Sequence, residues 1–509
     1  MRTLPGPTER IVIVGAGLAG LSAALHLAGR GRDVTVIERQ PWPGGRAGRL
    51  DVNGYRIDTG PTVITMPDLI EQTFAAVGEN VSPRLELLPL EPAYRAVFSD
   101  GDSIDVHTDA LTMAAAVRDF AGPRDAAGYT ALRHWLTTLY RTEFEGFIAA
   151  NFDSPLSMLT PQLARLVGIG GFRRWQTMVA RHISDPRLRR VFTFQSLYAG
   201  VAPHDALAVY AVIAYMDTVS GVYFPRGGVR ALPQALADAA AANGVRFCYG
   251  TAVTTVERTG ERVRAAITDQ GERIACDAVV LTTELPSAYQ LLGRRPRRLL
   301  PLRPAPSAVV LHLGCPTITP GEPHPPHHTI LFGDAWEQTF SDIIGDGQLM
   351  SDPSLLVTRP TASDTELAPQ GRDLLYVLAP APNLTRGHID WSSTTAPYTQ
   401  SMIDTVTQRL LPGLSNDAHV LHVDTPADWA RQGMLAGTPF ALAHTFAQTG
   451  PFRPANLIRG IDNAVLAGSS TTPGVGVPTT LISGRLAADR ITGNPRQSAT
   501  TLDLKARLP

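Results

Sequence analysis

The sequence predicts an α/β protein in which the two ends of the chain build one parallel sheet and the middle forms a mixed α+β insertion. The first observation is a strand–helix–strand pattern over residues 11–38, with glycines in its first turn. The second is a matching strand and helix at residues 463–491. The third is a length of 509 residues with 44% apolar and 18% charged residues, which excludes a mostly disordered chain.

Charge and cysteine content narrow the class of protein. Lys and Arg number 45, Asp and Glu 46, and the formal net charge is −1. Because acidic residues balance the basic ones, the chain lacks the net positive charge that nucleic-acid binding usually requires, and we expect no nucleic-acid partner. Cys248, Cys276 and Cys315 are far apart and form no CxxC pair. This sparse, odd set predicts a reducing compartment and buried structural thiols, with a thiol nucleophile as the alternative.

Residues 11–28 form a long apolar run that a signal peptide or a membrane span would also show. A span needs roughly 20 apolar residues, and a signal peptide ends in a small-residue cleavage site. Here His26 lies inside the run and three glycines interrupt it at a fixed spacing. A strand, a glycine turn and a helix explain all these features. We therefore expect no targeting segment and a cytoplasmic protein.

The glycine turn predicts a dinucleotide site. Gly15, Gly17 and Gly20 form a GxGxxG pattern between the first strand and a helix at Leu18–Ala28. The first glycine permits the turn, the second lets backbone approach a pyrophosphate, and the third lets helix and strand pack closely. The helix N-terminus offers free N–H groups and about half a positive charge. Glu38 ends the next strand, where a carboxylate accepts hydrogen bonds from ribose hydroxyls and disfavours the 2′-phosphate of NADP.

Two short strings after Glu38 make the dinucleotide more specific. They are Gly44-Gly45-Arg46-Ala47 and, at residues 58–62, Asp-Thr-Gly-Pro-Thr. Together with the glycine turn, they resemble the FAD-dependent amine oxidase and phytoene desaturase superfamily. The resemblance implies a Rossmann-like FAD-binding domain of the glutathione-reductase or amine-oxidase type. It also implies that Gly45 admits the cofactor, that Arg46 lies near the FAD phosphates or flavin, and that the Val253 backbone contacts the adenine.

A second half-site for FAD is predicted near the C-terminus. A short buried strand at residues 463–468 is followed by a turn that contains Gly468, Gly476 and Val477, and then by a helix over residues 479–491. Pro478 stands near the helix start, where its missing N–H costs nothing. The helix N-terminus is expected to face the flavin, where its partial charge favours the anionic reduced form.

Between these ends the chain is predicted to return to the cofactor domain twice. Strand and turn patterns predict a hairpin at residues 93–107, helices at 121–150 and 155–199, and strands at 245–283, 309–313 and 374–378. We expect FAD-binding parts at residues 1–92, 223–286 and 456–495, a substrate domain at 93–222 and 287–455, and a tail at 496–509.

Further strings resemble bacterial phytoene desaturases over roughly residues 10–492. They stand at residues 58–65, 194–200, 223–228, 375–380, 451–454 and 473–478. The resemblance implies desaturation of phytoene towards lycopene, with hydride transfer from an allylic C–H to flavin N5 and oxygen or a quinone as final electron acceptor. Two alternatives stay open: another flavin oxidase, of amine or porphyrinogen type, and a noncatalytic lipid-binding protein such as the Rab GDP-dissociation inhibitors.

No side chain stands out as a catalytic acid or base. Asp153 is the one residue considered for this role, and the competing interpretation is a solvated residue beside a helix N-cap. Polyene desaturation needs little acid–base help, because delocalisation stabilises the cation and positioning dominates the barrier.

Two apolar segments each have two interpretations. Residues 206–216 either line a tunnel for a hydrophobic polyene or form plain core. Residues 155–183, where apolar residues alternate with arginines, either lie on an anionic membrane surface or pack on their own domain. The sequence therefore predicts a peripherally membrane-associated protein. His324, His327 and His328 lack matching metal ligands and are predicted to form a solvated loop, so no metal is expected.

Overall fold

The computed structural model describes residues 1–296, 301–318 and 325–493. The strands of this part of the chain are β1 (Arg10–Val14), β2 (Asp33–Ile37), β3 (Arg49–Val52), β4 (Tyr55–Asp58), β5 (Ile64–Thr65), β6 (Leu87–Pro89), β7 (Tyr94–Val97), β8 (Ser103–Val106), β9 (Val222–Pro225), β10 (Arg246–Cys248), β11 (Val253–Thr259), β12 (Arg262–Thr268), β13 (Arg273–Ala275), β14 (Ala278–Leu281), β15 (Ser307–Pro316), β16 (His328–Leu331), β17 (Leu355–Thr358), β18 (Arg372–Ala381), β19 (His419–Asp424) and β20 (Ala464–Leu466).

The α-helices of the same residues are α1 (Leu18–Ala28), α2 (Pro67–Ala75), α3 (Ala110–Ala121), α4 (Pro123–Glu143), α5 (Pro161–Gly168), α6 (Trp175–Ala180), α7 (Pro186–Val191), α8 (Val212–Thr218), α9 (Ala231–Ala242), α10 (Leu285–Leu291), α11 (Trp336–Phe340), α12 (Trp391–Arg409), α13 (Leu414–Asp417), α14 (Pro426–Arg431) and α15 (Val477–Thr492). Short 3₁₀ or π segments lie between several of them. Within the described ranges, no helix is both long enough and apolar enough to cross a bilayer.

A five-stranded parallel sheet joins three remote parts of the chain. Its strand order is β10-β2-β1-β14-β20, and every neighbouring pair is parallel. Strands β1, β2, β14 and β20 are short runs that are buried almost throughout, as expected for a parallel sheet covered on both faces, and the edge strand β10 is partly exposed. On one face α1 packs against α9 and α15. On the other face lies the small antiparallel sheet β11-β12-β13.

The two predicted helices of this sheet are confirmed. The helix α1 has the predicted bounds, and α15 begins two residues before the predicted start because Pro478 fits its first turn. Close packing between them depends on small residues: Ser22 donates to the Leu481 carbonyl at 2.7 Å, and a Cβ on Gly484 would stand 2.3 Å from the Ala19 carbonyl oxygen. The N-terminal helix α1 and the C-terminal helix α15 therefore pack in direct contact.

A seven-stranded sheet forms the second layer. Its order is β19-β15-β18-β17-β16-β7-β8, and it contains the predicted hairpin as β7 and β8 and both predicted strands of the insertion as β15 and β18. One face, with Val309, Leu311 and Val377, packs on α12. The opposite face carries Val310 and Tyr376 and turns towards the five-stranded sheet.

Helices α3 to α8 form the helical part of residues 93–222. The predicted start of α7 is confirmed: Asp185 caps it by accepting hydrogen bonds from the Arg187 and Leu188 amides, at 2.7 and 3.1 Å. Asp125 of α4 is buried and accepts hydrogen bonds from the Ser184 and Asp185 amides, at 2.7 and 2.8 Å. The carboxylate thus fixes the loop before α7 onto α4.

The prediction of a solvated histidine loop is wrong for two of its three members. His327 and His328 are buried, and His328 opens β16. Burial lowers the pKa of His327 to about 3 and of His328 to about 4, so both are neutral. The His327 ring hydrogen-bonds to the Ser363 hydroxyl at 2.7 Å and the His328 ring to the Thr358 hydroxyl at 3.0 Å. These bonds satisfy one nitrogen of each buried, neutral imidazole. His324 lies outside the described residues.

The cysteines are structural, as predicted. Cys276 and Cys315 are buried and Cys248 is partly buried, and none forms a disulfide. Burial raises the pKa of Cys276 and of Cys315 to about 12, so their thiols stay protonated and unreactive.

Candidate active site

A cavity of about 1480 Å³ lies between the two large sheets. Its wall combines the carboxyl ends of the five-stranded sheet, the inner face of the seven-stranded sheet and the helical segments around residues 143–217. In open parallel sheets, ligands bind in the crevice at the carboxyl ends of the strands. The cavity is therefore the candidate active site.

The N-terminal glycines occupy one end of this cavity. Gly15 and Gly17 line it, and a Cβ placed on Gly17 would meet no atom within 4 Å, so it would project into the cavity. Gly20 stands behind them, where a Cβ would lie 2.0 Å from the Gly15 carbonyl oxygen. Gly15 also has a φ of +106°, which favours glycine. The positions of Gly15 and Gly20 fit the predicted roles in the turn and in helix packing, and the role of Gly17 in ligand approach remains a prediction.

Glu38 lines the same end but has backbone partners in the structure. Its Oε2 accepts a hydrogen bond from the Ala16 amide at 2.7 Å, and its Oε1 accepts one from the Gln40 amide at 2.9 Å. The carboxylate is buried and ties the glycine turn to the end of β2. Its role towards ribose hydroxyls remains a prediction.

Arg46 connects the first half-site to the last. Its Nη1 donates to the Ser469 hydroxyl at 2.6 Å, and its Nη2 pairs with Glu284. All three residues line the cavity. Gly45 has a φ of +58° and lies against Gly17, which brings the two glycine segments together. The sequence pattern gave Glu284 no role, because its partner is remote along the chain.

The C-terminal half-site lines the cavity opposite the glycine turn. Gly468, Gly476 and Val477 all border it, and Gly476 is the N-cap of α15 with a φ of +118°. Val253 borders the cavity at the start of β11. Each of the predicted cofactor residues except Gly20, which supports the turn from behind, therefore faces one space.

A buried arginine supports the C-terminal loop and was not predicted. Arg453 is almost fully buried and donates hydrogen bonds to the carbonyls of Ser469 and Thr471, at 2.6 and 2.9 Å. The sequence signal was the string Pro451-Phe-Arg-Pro454, which contributed to the resemblance to phytoene desaturases but indicated no role for Arg453. The guanidinium places a fixed positive charge directly behind the loop that borders the cavity.

The residues present fit FAD. Both α1 and α15 begin at glycine N-caps that make no side-chain capping hydrogen bond, so their first N–H groups are not used by a cap. Both glycines border the same cavity, and a free N-terminus with its partial positive charge suits an anionic pyrophosphate. Gly17 leaves the space that a side chain would fill.

The inner cavity wall is apolar and aromatic. Residues 206–216 are divided between cavity wall and core, because Leu207, Val209 and Ile213 line the cavity while Ala208 and Ala211 pack in the core; that the wall holds a polyene remains a prediction. The segment is a 3₁₀ turn followed by α8 and not one continuous helix, and small and large residues alternate between the two sides.

The cavity extends to an aromatic end beneath β7 and β16. Phe194 stands edge-on to Tyr94, Tyr198 and Phe332, with ring centroids 5.6, 5.8 and 5.9 Å away. Asp217 lies beside these rings, and burial raises its pKa to about 8. An aromatic wall of this kind suits an extended hydrocarbon.

Exposed apolar side chains lie at one opening of the cavity and on the segment beside it. Leu156 and Leu159, which flank the lining residue Met158, are 74% and 73% exposed, and Phe446 is 62% exposed. Phe446 borders the cavity together with Phe172 and Phe452, two further exposed aromatic residues. The sequence pattern suggested the first segment but missed residues 446–452, which are remote along the chain.

Residues 155–183 also pack inward. Leu166 and Trp175 are buried, and Trp175 stacks on Trp135 of α4 with a centroid distance of 5.7 Å. Asp153 lies outside the cavity and pairs with Arg490 and with the N-terminal amine. It is not a cavity residue. It is exposed and precedes Ser154, the N-cap of the short 3₁₀ helix Pro155–Met158, which confirms the interpretation as a solvated neighbour of a helix cap.

Known proteins resemble the chain over nearly its whole length. The pattern of the flavin containing amine oxidoreductase family matches residues 18–492. A phytoene dehydrogenase of Streptomyces griseus is 59% identical over 97% of each chain. A zeta-carotene-forming phytoene desaturase of Myxococcus xanthus is 37% identical over 95% of this chain and 94% of its own. A lycopene-forming phytoene desaturase of Pantoea ananas is 31% identical over 94% and 97%.

Solved structures resemble the fold. An oxidoreductase from Methanosarcina mazei gives a TM-score of 0.61 at 16% identity, covering 94% of this chain and 99% of its own. A putrescine oxidase bound to putrescine gives 0.59 at 14% identity, covering 95% and 99%. At these identities the likeness concerns the fold alone.

Proposed function

This chain belongs to the flavin-containing amine oxidoreductases and, within them, to the phytoene desaturases, and from this premise we propose that it desaturates phytoene towards lycopene. The protein is an FAD-dependent oxidoreductase that acts on CH–CH groups in carotenoid biosynthesis. One observation supports the proposal most directly: a single cavity connects the dinucleotide half-sites with an apolar, aromatic interior.

The cofactor end would hold FAD through the predicted residues. Gly15, Gly17 and the N-terminus of α1 would receive the pyrophosphate, with Glu38 on the ribose and Val253 beside the adenine. Arg46, Gly468, Gly476 and Val477 would hold the part of the cofactor nearer the flavin. When bound, FAD supplies the acceptor for the hydride that the substrate loses.

The protein's own contribution is to align a flexible chain and exclude water. The inner wall presents Phe194, Ile213 and Tyr376 but few charged groups, so a hydrocarbon gains binding energy along its whole length. Binding holds the reacting C–H bonds in one place. The activation barrier of desaturation is then lower, because the translational and rotational entropy has already been lost on binding. The division into FAD-binding and substrate parts at residues 92, 222, 286 and 455 is part of this proposal.

We also propose that the exposed opening rests on a membrane. Leu156, Leu159, Phe446 and Phe452 form the mouth patch, a name kept below for these four residues. Their exposure is what supports the idea, since an exposed apolar cluster at a cavity opening suits the interface of a bilayer. Arg173 and Arg174 stand nearby and are also exposed, so anionic lipids should strengthen the attachment.

The test uses FAD-loaded protein and phytoene in liposomes under anaerobic conditions. Flavin absorbance should fall once, in step with the loss of phytoene, and then stop. Admitting oxygen or adding a soluble quinone should restart conversion and identify the final electron acceptor. Each added conjugated bond shifts the product spectrum to the red, which counts the steps and distinguishes zeta-carotene from lycopene.

Three results would overturn the proposal. Conversion without any loss of flavin absorbance would give FAD only a structural role. An absolute requirement for NAD would show that NAD, and not FAD, is the oxidant. Bleaching by amines and not by phytoene would make the protein an amine oxidase.

A further inference from the structure

Desaturation releases a proton as well as a hydride, and the structure assigns the acceptor of that proton to His444. This inference rests on the proposed function. Three observations lead to it: where the imidazole lies, what it contacts, and which other groups on the cavity wall are able to accept a proton.

His444 lies at the junction of the cofactor loop and the substrate wall. A Cβ placed on Gly474 would stand 2.2 Å from the His444 Cε1 and 2.4 Å from its Nε2, so the ring rests directly on that glycine. Gly474 lies two residues before the N-cap of α15. On its other side the imidazole meets the Tyr210 ring edge-on, with centroids 5.9 Å apart. Both His444 and Tyr210 border the cavity.

The backbone holds His444 firmly. Its amide donates to the Ala199 carbonyl at 2.7 Å, and the preceding amide, of Ala443, donates to the Arg303 carbonyl at 3.0 Å. Among the described residues, no side chain or carbonyl hydrogen-bonds either ring nitrogen. A fixed imidazole with free nitrogens at a cavity wall is the arrangement that a proton acceptor requires.

The ring is neutral and so has a lone pair to offer. Burial lowers the pKa of His444 well below its ordinary value, and the nearby Arg453 charge lowers it further. Tyr210, the titratable group that packs on the ring, has its hydroxyl bonded to Thr449, and Glu143 lies near Tyr210. Burial raises the pKa of Glu143 well above its ordinary value, which favours the protonated carboxyl over the carboxylate that would act as a base.

Other basic groups on the described cavity wall are engaged elsewhere. Glu284 is paired with Arg46, and His328 is bonded to Thr358. His422 pairs with Asp424, whose hydrogen bond raises the pKa of the imidazole. Asp217 also borders the cavity, at its aromatic end, and burial raises the pKa of this carboxyl to about 8, so it is protonated at neutral pH. Among these groups, His444 is the neutral base that contacts the cofactor loop, at Gly474.

The step balances as follows. One allylic C–H bond gives up its hydride to the cofactor, leaving a delocalised cation on the polyene. The neighbouring C–H bond then breaks, its electron pair becomes the new C=C bond, and its proton moves to an imidazole nitrogen of His444. The substrate thus loses two electrons and two hydrogens, and the imidazolium returns its proton to water when the product leaves.

The kinetic test replaces His444 by Gln, which keeps a polar planar side chain but is not a base at neutral pH. We expect single-turnover phytoene loss to slow by 10²–10⁴-fold, the usual contribution of a positioned base. FAD loading should stay unchanged. His444→Ala should be equally slow and should regain activity when free imidazole is added, which a merely structural defect would not do. His134→Gln, on the exposed face of α4, is the matched control.

A second readout does not depend on turnover. Diethyl pyrocarbonate should modify His444 in the cofactor-free protein, and FAD together with phytoene liposomes should block it, as mapped by mass spectrometry. His134 should react in every state. Wild-type speed in His444→Gln, no rescue of His444→Ala by imidazole, or unprotected His444 in the loaded protein would each overturn the assignment. Failure of the wild type to convert phytoene would instead refute the proposed function.

Discussion

At the scale of single residues, we expect Gly17 to decide whether the cavity admits a dinucleotide. A side chain there would meet no protein atom within 4 Å, so it would occupy the cavity itself and not disturb the fold. We therefore expect Gly17→Val to fold normally and to lack bound flavin. Absorption spectra of the purified variant, together with its melting curve, measure both properties.

Gly345→Val is the control for this substitution. Gly345 also has open space around it and no positive φ, but it is exposed and lies away from the cavity. This variant should carry as much FAD as the wild type. A yellow, fully loaded Gly17→Val protein would show that the N-terminal glycines do not hold the cofactor.

Glu38 carries a second residue-scale prediction. Its carboxylate already accepts two backbone hydrogen bonds that shape the glycine turn, so Ala at this position loses these as well as any bond to ribose. Hydrogen bonds to a charged group contribute roughly 1.5–3 kcal/mol, and we expect FAD affinity to fall by about that much. Titration of the cofactor-free variant with FAD measures it. Glu38→Gln keeps one carbonyl oxygen and should lose less, whereas unchanged affinity in Glu38→Ala would remove Glu38 from the site.

The residues whose positions could be predicted from the sequence share a physical reason. Gly15, Gly17 and Gly20 are constrained by backbone geometry within a few neighbours, so their spacing shows their roles. Glu284, Arg453 and His444 act through partners far along the chain, such as Arg46 and the loop at residues 469–474. Spacing along one chain does not show such contacts, and the fold must bring them together first.

At the scale of elements, Asp125 links α4 to the start of α7. Burial alone would raise the pKa of this carboxyl, but hydrogen bonds from Ser184 and Asp185 outweigh it and lower the pKa below the ordinary 3.8. Because the folded-state pKa is lowered, the contribution to stability is fully present above the ordinary pKa of 3.8 and is lost as the pH falls through the lower folded-state pKa. Asp125→Asn should therefore reduce the free energy of unfolding at pH 7 by about 1.5–3 kcal/mol.

Denaturant titrations at several pH values measure this effect. The difference between wild type and Asp125→Asn should shrink as the pH falls through the range where Asp125 protonates. Asp105→Asn, in a half-exposed pair with Arg95, is the comparison and should change stability by less than about 1 kcal/mol. A difference that stays constant with pH would show that the charge of Asp125 contributes nothing.

The mouth patch gives a second element-scale prediction. Replacing Leu156, Leu159, Phe446 and Phe452 by Ser removes apolar surface that is already exposed, so the fold should remain intact. Sedimentation with anionic liposomes should fall sharply, because burying each side chain in the interface contributes roughly 1.5–3 kcal/mol. Leu111→Ser, at a site 83% exposed and away from the cavity, should bind liposomes like the wild type.

Salt separates the two forces behind this attachment. The Debye length falls from about 10 Å at 0.1 M to about 3 Å at 1 M, so an attachment through arginines should weaken at high salt. Salt-resistant binding would assign it to apolar insertion. No sedimentation of the wild type would refute the membrane proposal.

Elements with strong local signals were predictable, and those shaped by tertiary contacts were not. The strand–helix units at both ends follow from apolar runs, glycines and a proline at the helix start. His328 illustrates the other case. Its Pro- and His-rich surroundings predicted a loop, but the residue lies in β16, where it pairs with Thr358 of β17 and hydrogen-bonds to its hydroxyl. Residues 206–216 likewise show one apolar run but serve both the cavity and the core.

At the scale of the whole molecule, the five-stranded sheet depends on segments that are far apart in sequence. Strands β1 and β2 come from the N-terminus, β10 and β14 from the middle, and β20 from the C-terminus. The cavity wall draws on the same three segments, at Gly17, Val253 and Gly468. A ligand that bridges them therefore contacts a surface that exists only in the folded chain.

This topology predicts that FAD stabilises the whole protein. A ligand that binds only the folded state adds RT ln(1 + [L]/Kd), or about 2.7 kcal/mol at a concentration of 100 times Kd. Removing FAD should therefore lower the melting temperature, and adding it back should raise the temperature progressively with concentration. NAD and NADP should fail to restore it, because Glu38 opposes a 2′-phosphate and nicotinamide dinucleotides lack the flavin that residues 468–477 would border. Gly17→Val should melt like the cofactor-free wild type and should not respond to FAD. Equal melting temperatures with and without FAD would mean that the cofactor does not bridge the three segments, and a response to NAD would assign the cavity to a different dinucleotide.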